Sequence, residues 1–422
     1  MNDTISLKML AIAIIGGACF IASLFVLALV EDRQSRADEA KIEIAQGWGK
    51  RQTIVGPLLI AETSAAQGAQ SYLENAYVLP ENLHYEITLE PEVRSRGIFT
   101  SVVYTSRIKV SGEFSPDDMR TLTSRGVRSA TLALAITDTR GIEQQLDLTW
   151  NGISFPLEPG PGFDTRGSSG LHTTVPVSNS ANIPFSFELQ LRGSEGISVA
   201  PLGTETTLSI ASPWPTPKFV GEFLPASREI AKDGFTSLWR LSSLGRSYPS
   251  TWQGEKTDFA QLLESSAGVD LHIGVDTYDM VERSIKYAIL FIVITFAAYF
   301  LFDVLGGIRV HPIQYLLVGS ALALFYLLLL SLAEQIGFVL AYLLATVMTA
   351  FLVTAYSAFV LKSRQRAFPI FVLLSVLYAY LYFILSLEDY ALLAGALLLF
   401  LLLGTVMYMT RTIDWFSLGK RE

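Results

Sequence analysis

The four histidines are the side chains best suited to metal binding or acid–base chemistry, but they are far apart in the sequence. They form no His-x-x-x-His pair and are His84, His172, His272 and His311. The single cysteine, Cys19, lies in an apolar run, so no intramolecular disulfide can form. Because a zinc site needs several histidine or cysteine ligands at close spacing, we expect neither a metal nor a cofactor.

Motifs typical of catalysis are also absent from the sequence. It contains no G-x-S-x-G nucleophile turn and no nucleotide-binding P-loop, and Gly160-x-Gly162 lacks the third glycine of a dinucleotide loop. Serine, histidine and aspartate that are distant in sequence can still meet in a fold. We therefore expect a non-enzymatic protein with no catalytic residues, and keep a membrane-bound enzyme at the periplasmic face as an alternative.

The elements that position these side chains divide into two classes by charge. The segment from Glu31 to Arg283 contains 22 Lys and Arg against 32 Asp and Glu, a net charge of −10. The remaining residues contain 9 basic and 7 acidic side chains, a net charge of +2. The charged segment is thus suited to water, and the remaining residues are suited to lipid. An acidic segment without basic clusters argues against a nucleic-acid partner.

The N-terminal apolar run, 8–30, predicts a transmembrane anchor after a cytoplasmic segment, 1–7. A secretory signal has a shorter apolar core of about 7 to 15 residues and a small-residue cleavage site, and the run shows neither feature. Small residues four apart would allow another helix to approach closely: Ala13 with Gly17, and Ala18 with Ala22. We expect the anchor to remain uncleaved.

Residues 31–283 predict a β-rich domain that begins with a short helix, 31–46. Beyond it, apolar and polar residues alternate with the period of two that marks strands with one buried face. The runs are Tyr85/Ile87/Leu89, Ile108/Val110, Leu132/Leu134/Ile136, Leu146/Leu148/Trp150, Phe185/Phe187/Leu189/Leu191, Leu208/Ile210 and Val269/Leu271/Ile273/Val275. Few helical crossovers separate them, so we expect antiparallel, sandwich-like sheets, in one lobe or in two that divide near residue 160.

Five further apolar stretches are each long enough to cross a bilayer: 285–304, 313–333, 336–360, 368–387 and 390–410. Basic residues in the short connections alternate with acid-only loops, and a cytoplasmic tail, 411–422, follows the last stretch. Because positive charge is retained in the cytoplasm, both termini are predicted to be cytoplasmic and the β-rich domain periplasmic. The fold class is a polytopic α-helical membrane protein with an all-β domain inserted between its first two spans.

Few polar side chains fall within the spans. Asp303 and Lys286 lie near span ends, where they are interpreted as snorkelling or capping groups. Gln314 is interpreted as the donor of a helix–helix hydrogen bond. Spans that lack ionisable groups argue against an ion-driven transporter, although a flippase or transporter with a lipid-facing groove needs few charges.

Several strings, in order along nearly the whole chain, resemble the CreD family of bacterial inner-membrane proteins associated with cell-envelope integrity. They are Val55-Gly56-Pro57-Leu58, Thr137-Asp138-Thr139-Arg140-Gly141-Ile142, Ser212-Pro213-Trp214-Pro215, Phe219-x-Gly221-x-Phe223-Leu224-Pro225, Arg228-Glu229-Ile230, Lys286-Tyr287-Ala288-Ile289-Leu290, His311-Pro312-Ile313-Gln314 and Thr410-Arg411-x-Ile413-Asp414-Trp415. The resemblance implies a Gram-negative inner-membrane protein of an envelope-stress response, with no catalytic residues to carry over.

Most residues of these strings have a structural interpretation. Gly and Pro form turns and bends, while Trp214 and Phe223 are expected to anchor a core. The positions interpreted in this way are Gly56, Pro57, Trp214, Pro215, Pro225, His311, Pro312 and Trp415. Arg228 and Arg309 are the candidates for contact with a partner or with anionic lipid.

The leading hypothesis is a protein whose periplasmic β-domain binds an envelope protein or cell-wall component and whose helices hold it in the membrane. Membrane lipid is an expected partner, and a homo-oligomer is compatible with the sequence. A polar or water-filled cavity among the spans would favour transport instead. A convergent Ser/His or carboxylate pair in a pocket would favour an enzyme.

Overall fold

The computed structural model describes residues 2–67, 70–142, 144–163, 169–178, 182–254, 259–272, 277–306, 310–387 and 390–411. The chain divides into two compact units. The β-rich unit comprises residues 37–274, and the helical unit comprises residues 1–36 and 275–422. A single helix, α1 (Asn2–Trp48), contributes residues to both units.

The described part of the β-rich unit contains seventeen strands and two short helices. The helices are α2 (Pro116–Ser124) and α3 (Phe259–Glu264). The strands are β1 (Gln52–Gln67), β2 (Gln70–Val78), β3 (Asn82–Arg96), β4 (Phe99–Phe114), β5 (Ser129–Ile136), β6 (Asp147–Trp150), β7 (Ile153–Pro156), β8 (Glu158–Pro159), β9 (Ser169–Pro176), β10 (Ile183–Ser194), β11 (Gly196–Val199), β12 (Glu205–Ser212), β13 (Pro217–Gly221), β14 (Ser227–Ala231), β15 (Gly234–Ser242), β16 (Thr251–Gln253) and β17 (Ala267–Leu271).

These strands form two sheets that share one hydrophobic core. The first sheet has the order β13-β17-β11-β1-β5-β9-β8, with β2 pairing to β1 and β16. The second has the order β14-β15-β12-β3-β4-β10-β6-β7. Their buried side chains belong to a single cluster that includes Leu59 of β1 and Ile108 of β4. The unit is therefore one sandwich, and the alternative of two lobes is excluded.

Alternating burial confirms the period-two prediction in most strands. In β3, Tyr85 and Ile87 are buried and the residues between them are exposed. β5 departs from this pattern because Ala133 and Ala135 are buried as well. The loop at Gly162 covers that face, since a Cβ there would lie 3.5 Å from the Ala133 Cβ. Ile273 and Val275, the last two residues of the seventh run, are outside the described residues.

Antiparallel pairing predominates, but two pairs are parallel. β1 pairs in parallel with β11, and β3 pairs in parallel with β12. The predicted antiparallel, sandwich-like fold is confirmed, and these two parallel pairs are an addition to it. Parallel neighbours require a long connection, and here the connection consists of other strands of the sandwich instead of a crossover helix. Nothing in local periodicity distinguishes such a connection from a series of hairpins.

The helical unit contains six further helices within the described chain. They are α4 (Thr277–Lys286), α5 (Ala288–Gly306), α6 (Pro312–Ile336), α7 (Phe338–Val360), α8 (Arg364–Ser386) and α9 (Ala391–Thr410). Four helices, α1, α6, α7 and α8, are long and apolar enough to cross a membrane. α4 and α5 meet at a 41° bend and count as a fifth span if they are taken together. The apolar part of α9, Leu393–Thr405, is shorter.

In the helical unit α1 packs through one stripe of its surface. Cys19, Ser23 and Val30 are buried, at the three- and four-residue spacing of one helix face. Gly319 of α6 allows close approach, because a Cβ there would lie 2.5 Å from the Cys19 Sγ. The predicted small-residue pairs, Ala13 with Gly17 and Ala18 with Ala22, are exposed on other faces of the helix.

Candidate functional site

A concave pocket with several polar side chains in its lining lies on the solvent face of the second sheet, and we call it the Glu113 pocket. Its volume is about 510 Å³. Its lining comes from β3, β4, β10, β6 and the turn that follows β6: Asn82, His84, Ser111, Gly112, Glu113, Thr149, Gly152, Pro184, Phe185 and Ser186. These four strands are neighbours in the sheet, so side chains on the sheet and one turn form the pocket.

Strand register explains why polar side chains converge there. His84 lies opposite Ser111, which lies opposite Ser186, which in turn lies opposite Thr149. These four exposed residues form one polar row across four strands. Two residues further along, Asn82 is paired with Glu113 in a second row. Residues two apart in a strand share a face, so both rows point to solvent.

Glu113 is the anionic centre of the pocket. Its Oε1 accepts a hydrogen bond from the Asn82 Nδ2 at 2.6 Å, and its Oε2 accepts one from the Asn182 Nδ2 at 2.9 Å. The bonds from Asn182 and Asn82, together with the nearby His84, hold the pKa of Glu113 below its ordinary value. The carboxylate is thus ionised and oriented, and a carboxylate has about four lone-pair sites. It can accept further hydrogen bonds from a ligand.

Buried side chains form the floor of the pocket, and a tight turn forms one wall. Phe185 and Trp150 alternate with the polar row and are buried in the core. The wall is the two-residue turn between β6 and β7, in which Asn151 has a φ of 48° and Gly152 a φ of 81°. Two central residues with positive φ are what a type I′ hairpin requires, and Asn-Gly supplies them at low steric cost. The Asn151 N–H also donates to the Pro184 carbonyl at 2.8 Å.

Neither candidate interaction residue lies in this pocket. Arg228 is on β14, an exposed edge strand that β15 and β12 separate from β3. Its guanidinium lies 5.6 Å from the centre of the Phe219 ring, a cation–π contact. Arg309 and Trp415 lie outside the described residues.

Two of the family-like strings bend or border strands. Gly56 and Pro57 lie within β1 and are joined by a cis peptide, with a register shift between Val55 and Leu58. The Gly56 carbonyl accepts a hydrogen bond from the Tyr85 hydroxyl of the other sheet. Trp214 is half-buried at the margin of the core. Its Nε1 donates to the His272 carbonyl at 3.0 Å. Pro215 beside it is exposed, and Pro225, between β13 and β14, is half-buried.

His311 and Pro312 start a helix, as the sequence predicts. His311 is the N-cap of α6, and Pro312 occupies the first turn. Gln314 completes a capping box, because its side chain accepts from the His311 N–H at 2.9 Å. The interpretation of Gln314 as a helix–helix donor is therefore wrong, since its partner is the start of its own helix.

Sequence reasoning missed the function of Asp138, which organises a buried network between β1 and β5. Its Oδ2 accepts from the Lys50 N–H at 3.3 Å, and its Oδ1 from the Arg140 N–H at 3.1 Å. The Gln52 side chain donates to the Asp138 carbonyl and accepts from its N–H. A Cβ on Gly141 would lie 2.6 Å from the Arg192 carbonyl oxygen, so the tight turn requires glycine here. The Asp138-Thr139-Arg140-Gly141 sequence was the signal that could have indicated a capped, tight turn.

Within the helical unit, α1 is paired with the bundle at both ends of its apolar run. Lys8 forms an ion pair with Asp303 at the end of α5. Arg33 lies 3.5 Å from the buried carboxylate of Glu334 in α6, which also accepts from the Tyr278 hydroxyl at 3.1 Å. Asp303 is thus an ion-pair partner of the anchor. Lys286 pairs with Glu282 on its own helix, at 2.7 Å.

The histidines remain separate from one another. The His172 Nδ1 lies 2.9 Å from the Gly160 carbonyl oxygen, and His84 is in the Glu113 pocket. Among the described residues, no three His, Cys, Asp or Glu side chains are placed to hold a metal ion.

Comparisons with known proteins agree along the chain. The family model described as "Inner membrane protein CreD" matches residues 4–416. The chain is 31% identical over 420 residues to inner membrane protein CreD of Escherichia coli strain K12. The match covers 95% of this chain and 92% of that protein. The solved structure of a putative nutrient binding protein from Legionella pneumophila matches 55% of this chain and 78% of its own chain. The identity is 9% and the TM-score is 0.27. That likeness is too low to assign a fold. The chain belongs to the CreD family and is a multi-pass inner-membrane protein.

Proposed function

We propose that this protein supports cell-envelope integrity as a non-catalytic binding protein, and that its β-rich domain faces the periplasm and binds an envelope component at the Glu113 pocket. The observation that carries the proposal is the pocket itself. Five polar side chains from four neighbouring strands lie around an oriented carboxylate. A concave site with a few convergent polar groups is the usual form of a ligand site.

The orientation rests on the ends of the helical unit. The pairs Lys8–Asp303 and Arg33–Glu334 are about 37 Å apart along α1, at about 1.5 Å per residue. That distance exceeds the roughly 30 Å of a hydrocarbon core, so the two pairs mark opposite interfaces. Lys362, Arg364 and Arg366 follow α7, which begins after Glu334 and ends on the Lys8 side. Positive charge on the Lys8 side supports a cytoplasmic location for that side.

Thiol labelling tests the orientation. In a variant with Cys19 replaced by serine, single cysteines are introduced at Thr88, exposed on β3, and at Ser363, before α8. A membrane-impermeant maleimide should label Thr88→Cys in intact spheroplasts and Ser363→Cys only after the membrane is opened. Labelling of Ser363→Cys in sealed cells would reverse the orientation and remove the β-rich domain from the periplasm.

Site-specific crosslinking tests the binding site. A photo-crosslinking amino acid at Ser186, in the pocket, is compared in living cells with the same group at Thr88, on the same face but outside the lining. The proposal expects a defined envelope component to be captured from Ser186 and not from Thr88. Equal capture from both positions, or none from Ser186, would contradict a site in the Glu113 pocket.

One observation favours transport as a second function. The buried hydroxyls of Thr295, Tyr315 and Tyr326 make no hydrogen bond to the described chain. Polar groups inside lipid-embedded bundles are costly without partners and often mark pathways. A cysteine in place of Thr295, in the Cys19→Ser variant, should react with a small water-soluble thiol reagent if a hydrated path exists. A lack of reaction with the folded protein would exclude that path.

A further inference from the structure

We infer that the Glu113 pocket binds a hydroxyl-rich sugar that carries a free amino group, with the amine on the Glu113 carboxylate and the hydroxyls on the polar row. This inference rests on the proposed function and adds the chemical class of the ligand.

The backbone beneath the pocket excludes recognition of a peptide as an added strand. β3 and β4 are paired on both sides at the pocket residues, and β10 is paired with β6 at Phe185 and Ser186. Strand addition needs a free edge of N–H and C=O groups, which the described pocket residues of these strands do not offer. A ligand must therefore be held by side chains alone. It needs many hydrogen-bonding groups of its own within a small area.

The row of His84, Ser111, Ser186 and Thr149 meets that requirement. Neighbouring strands are about 4.8 Å apart, and residues two apart in a strand are about 7 Å apart. The two polar rows therefore form a platform of about 14 by 7 Å. Three of the four side chains are hydroxyls, which both donate and accept. Vicinal sugar hydroxyls also donate and accept, so they match such a platform.

The Glu113 carboxylate is the group that would bind the amine of the sugar. Among the described lining residues it is the one carboxylate, and each oxygen already has one amide donor that fixes its direction. A single carboxylate is a poor site for a divalent cation, which takes several oxygen ligands. It suits one ammonium group, because hydrogen bonds between charged partners are about twice as strong as neutral ones.

The experiment is calorimetric titration of the full-length protein in nanodiscs with three disaccharide probes. They are the β-1,4-linked dimers of glucosamine, of N-acetylglucosamine and of glucose. The glucosamine dimer should bind at least about tenfold more tightly than the other two, equivalent to about 1.4 kcal/mol. Absence of measurable binding, or equal affinity for all three dimers, would overturn the inference.

Variants assign the binding to the pocket. Glu113→Gln should abolish the tenfold preference for the amine, and Ser111→Tyr should block all three dimers by filling the pocket. Glu188→Gln is the matched control, since Glu188 is exposed on β10 outside the lining and faces Arg107. It should bind like the unmodified protein. Unchanged binding in folded Ser111→Tyr protein would place the sugar elsewhere and refute the assignment.

The outcomes separate this inference from the proposed function. If crosslinking from Ser186 captures an envelope component but no disaccharide binds, the ligand class is wrong and the binding function stands. If the glucosamine dimer binds but thiol labelling places the domain in the cytoplasm, the ligand class stands and the envelope function fails.

Discussion

Replacing Asp138 tests whether the buried network at the start of β1 stabilises the β-rich domain. The Asp138 carboxylate caps a short turn by accepting from the Arg140 N–H, and it also accepts from the Lys50 N–H. Asp138→Ala removes both acceptors. Loss of a cap costs about 1 kcal/mol, and an unpaired half-buried N–H costs about another 1 kcal/mol. The Arg140 side chain is 59% exposed, so solvent screens its ion pair, which adds little. We expect a loss of about 2–3 kcal/mol.

The assay is unfolding of the full-length protein followed by tryptophan fluorescence. Five of the six tryptophans lie within residues 37–274, so the signal reports on the β-rich unit. A loss of this size corresponds to a Tm lower by about 5–10 °C in a domain of this length. Asp138→Asn, which retains an acceptor, should cost about 1 kcal/mol, and Arg140→Ala should cost less.

The stabilisation by the Asp138 carboxylate should be lost as the pH falls. Hydrogen bonds from the Arg140 side chain, and then from the Arg140 and Lys50 backbone, hold the pKa of Asp138 below its ordinary value despite burial. A lowered pKa stabilises the folded state above the unfolded pKa of about 3.9 and loses that effect as pH falls further. The gap between the unmodified protein and Asp138→Asn should be constant from pH 7 to 5 and narrow below about pH 4. An unchanged midpoint for Asp138→Ala, or an equal loss for Arg140→Ala, would refute the reasoning.

Three further changes test other parts of the fold by thermal unfolding of the purified protein. Gly221→Ala should destabilise the protein by several kcal/mol, because the φ of Gly221 is +100° and the new Cβ would lie 2.0 Å from a carbonyl oxygen. Gly97→Ala is the control: the φ of Gly97 is +62° and the space around it is open, so the change should cost about 1 kcal/mol. Arg33→Ala should cost more than Glu334→Gln, because it leaves a buried carboxylate without its cation; the reverse order would contradict an ion pair of this kind. Gln314→Ala should cost about 1 kcal/mol as the loss of half a capping box, and no loss would argue against the cap.

Local patterns in the sequence predicted the fold class and many of its elements. Alternation at Tyr85, Ile87 and Leu89 predicted a half-buried strand, and β3 buries those side chains. His311-Pro312 predicted a helix start, and α6 begins there. These features succeed because their causes are local: the period of a strand and the fixed φ of proline act within a few residues.

The candidate site could not be predicted in the same way. Asn82, Glu113 and Asn182 meet because β3, β4 and β10 pair in one register, and a shift of one residue would turn their side chains to the core. Lys8 and Asp303 pair across 295 positions of sequence. Gln314 was misinterpreted because a polar residue near a span start fits a cap as well as a helix contact.

Patterns within short segments thus indicated which parts of the chain are apolar enough to cross a membrane, which parts form strands and which residues start or bend them. The fold added what those patterns lack: which strands are neighbours, that two pairs are parallel, and that one oriented carboxylate stands beside a row of hydroxyls. Periodicity and turn chemistry are set by interactions within a few residues. Register and convergence are set by packing between segments that are far apart along the chain, and composition does not specify that packing.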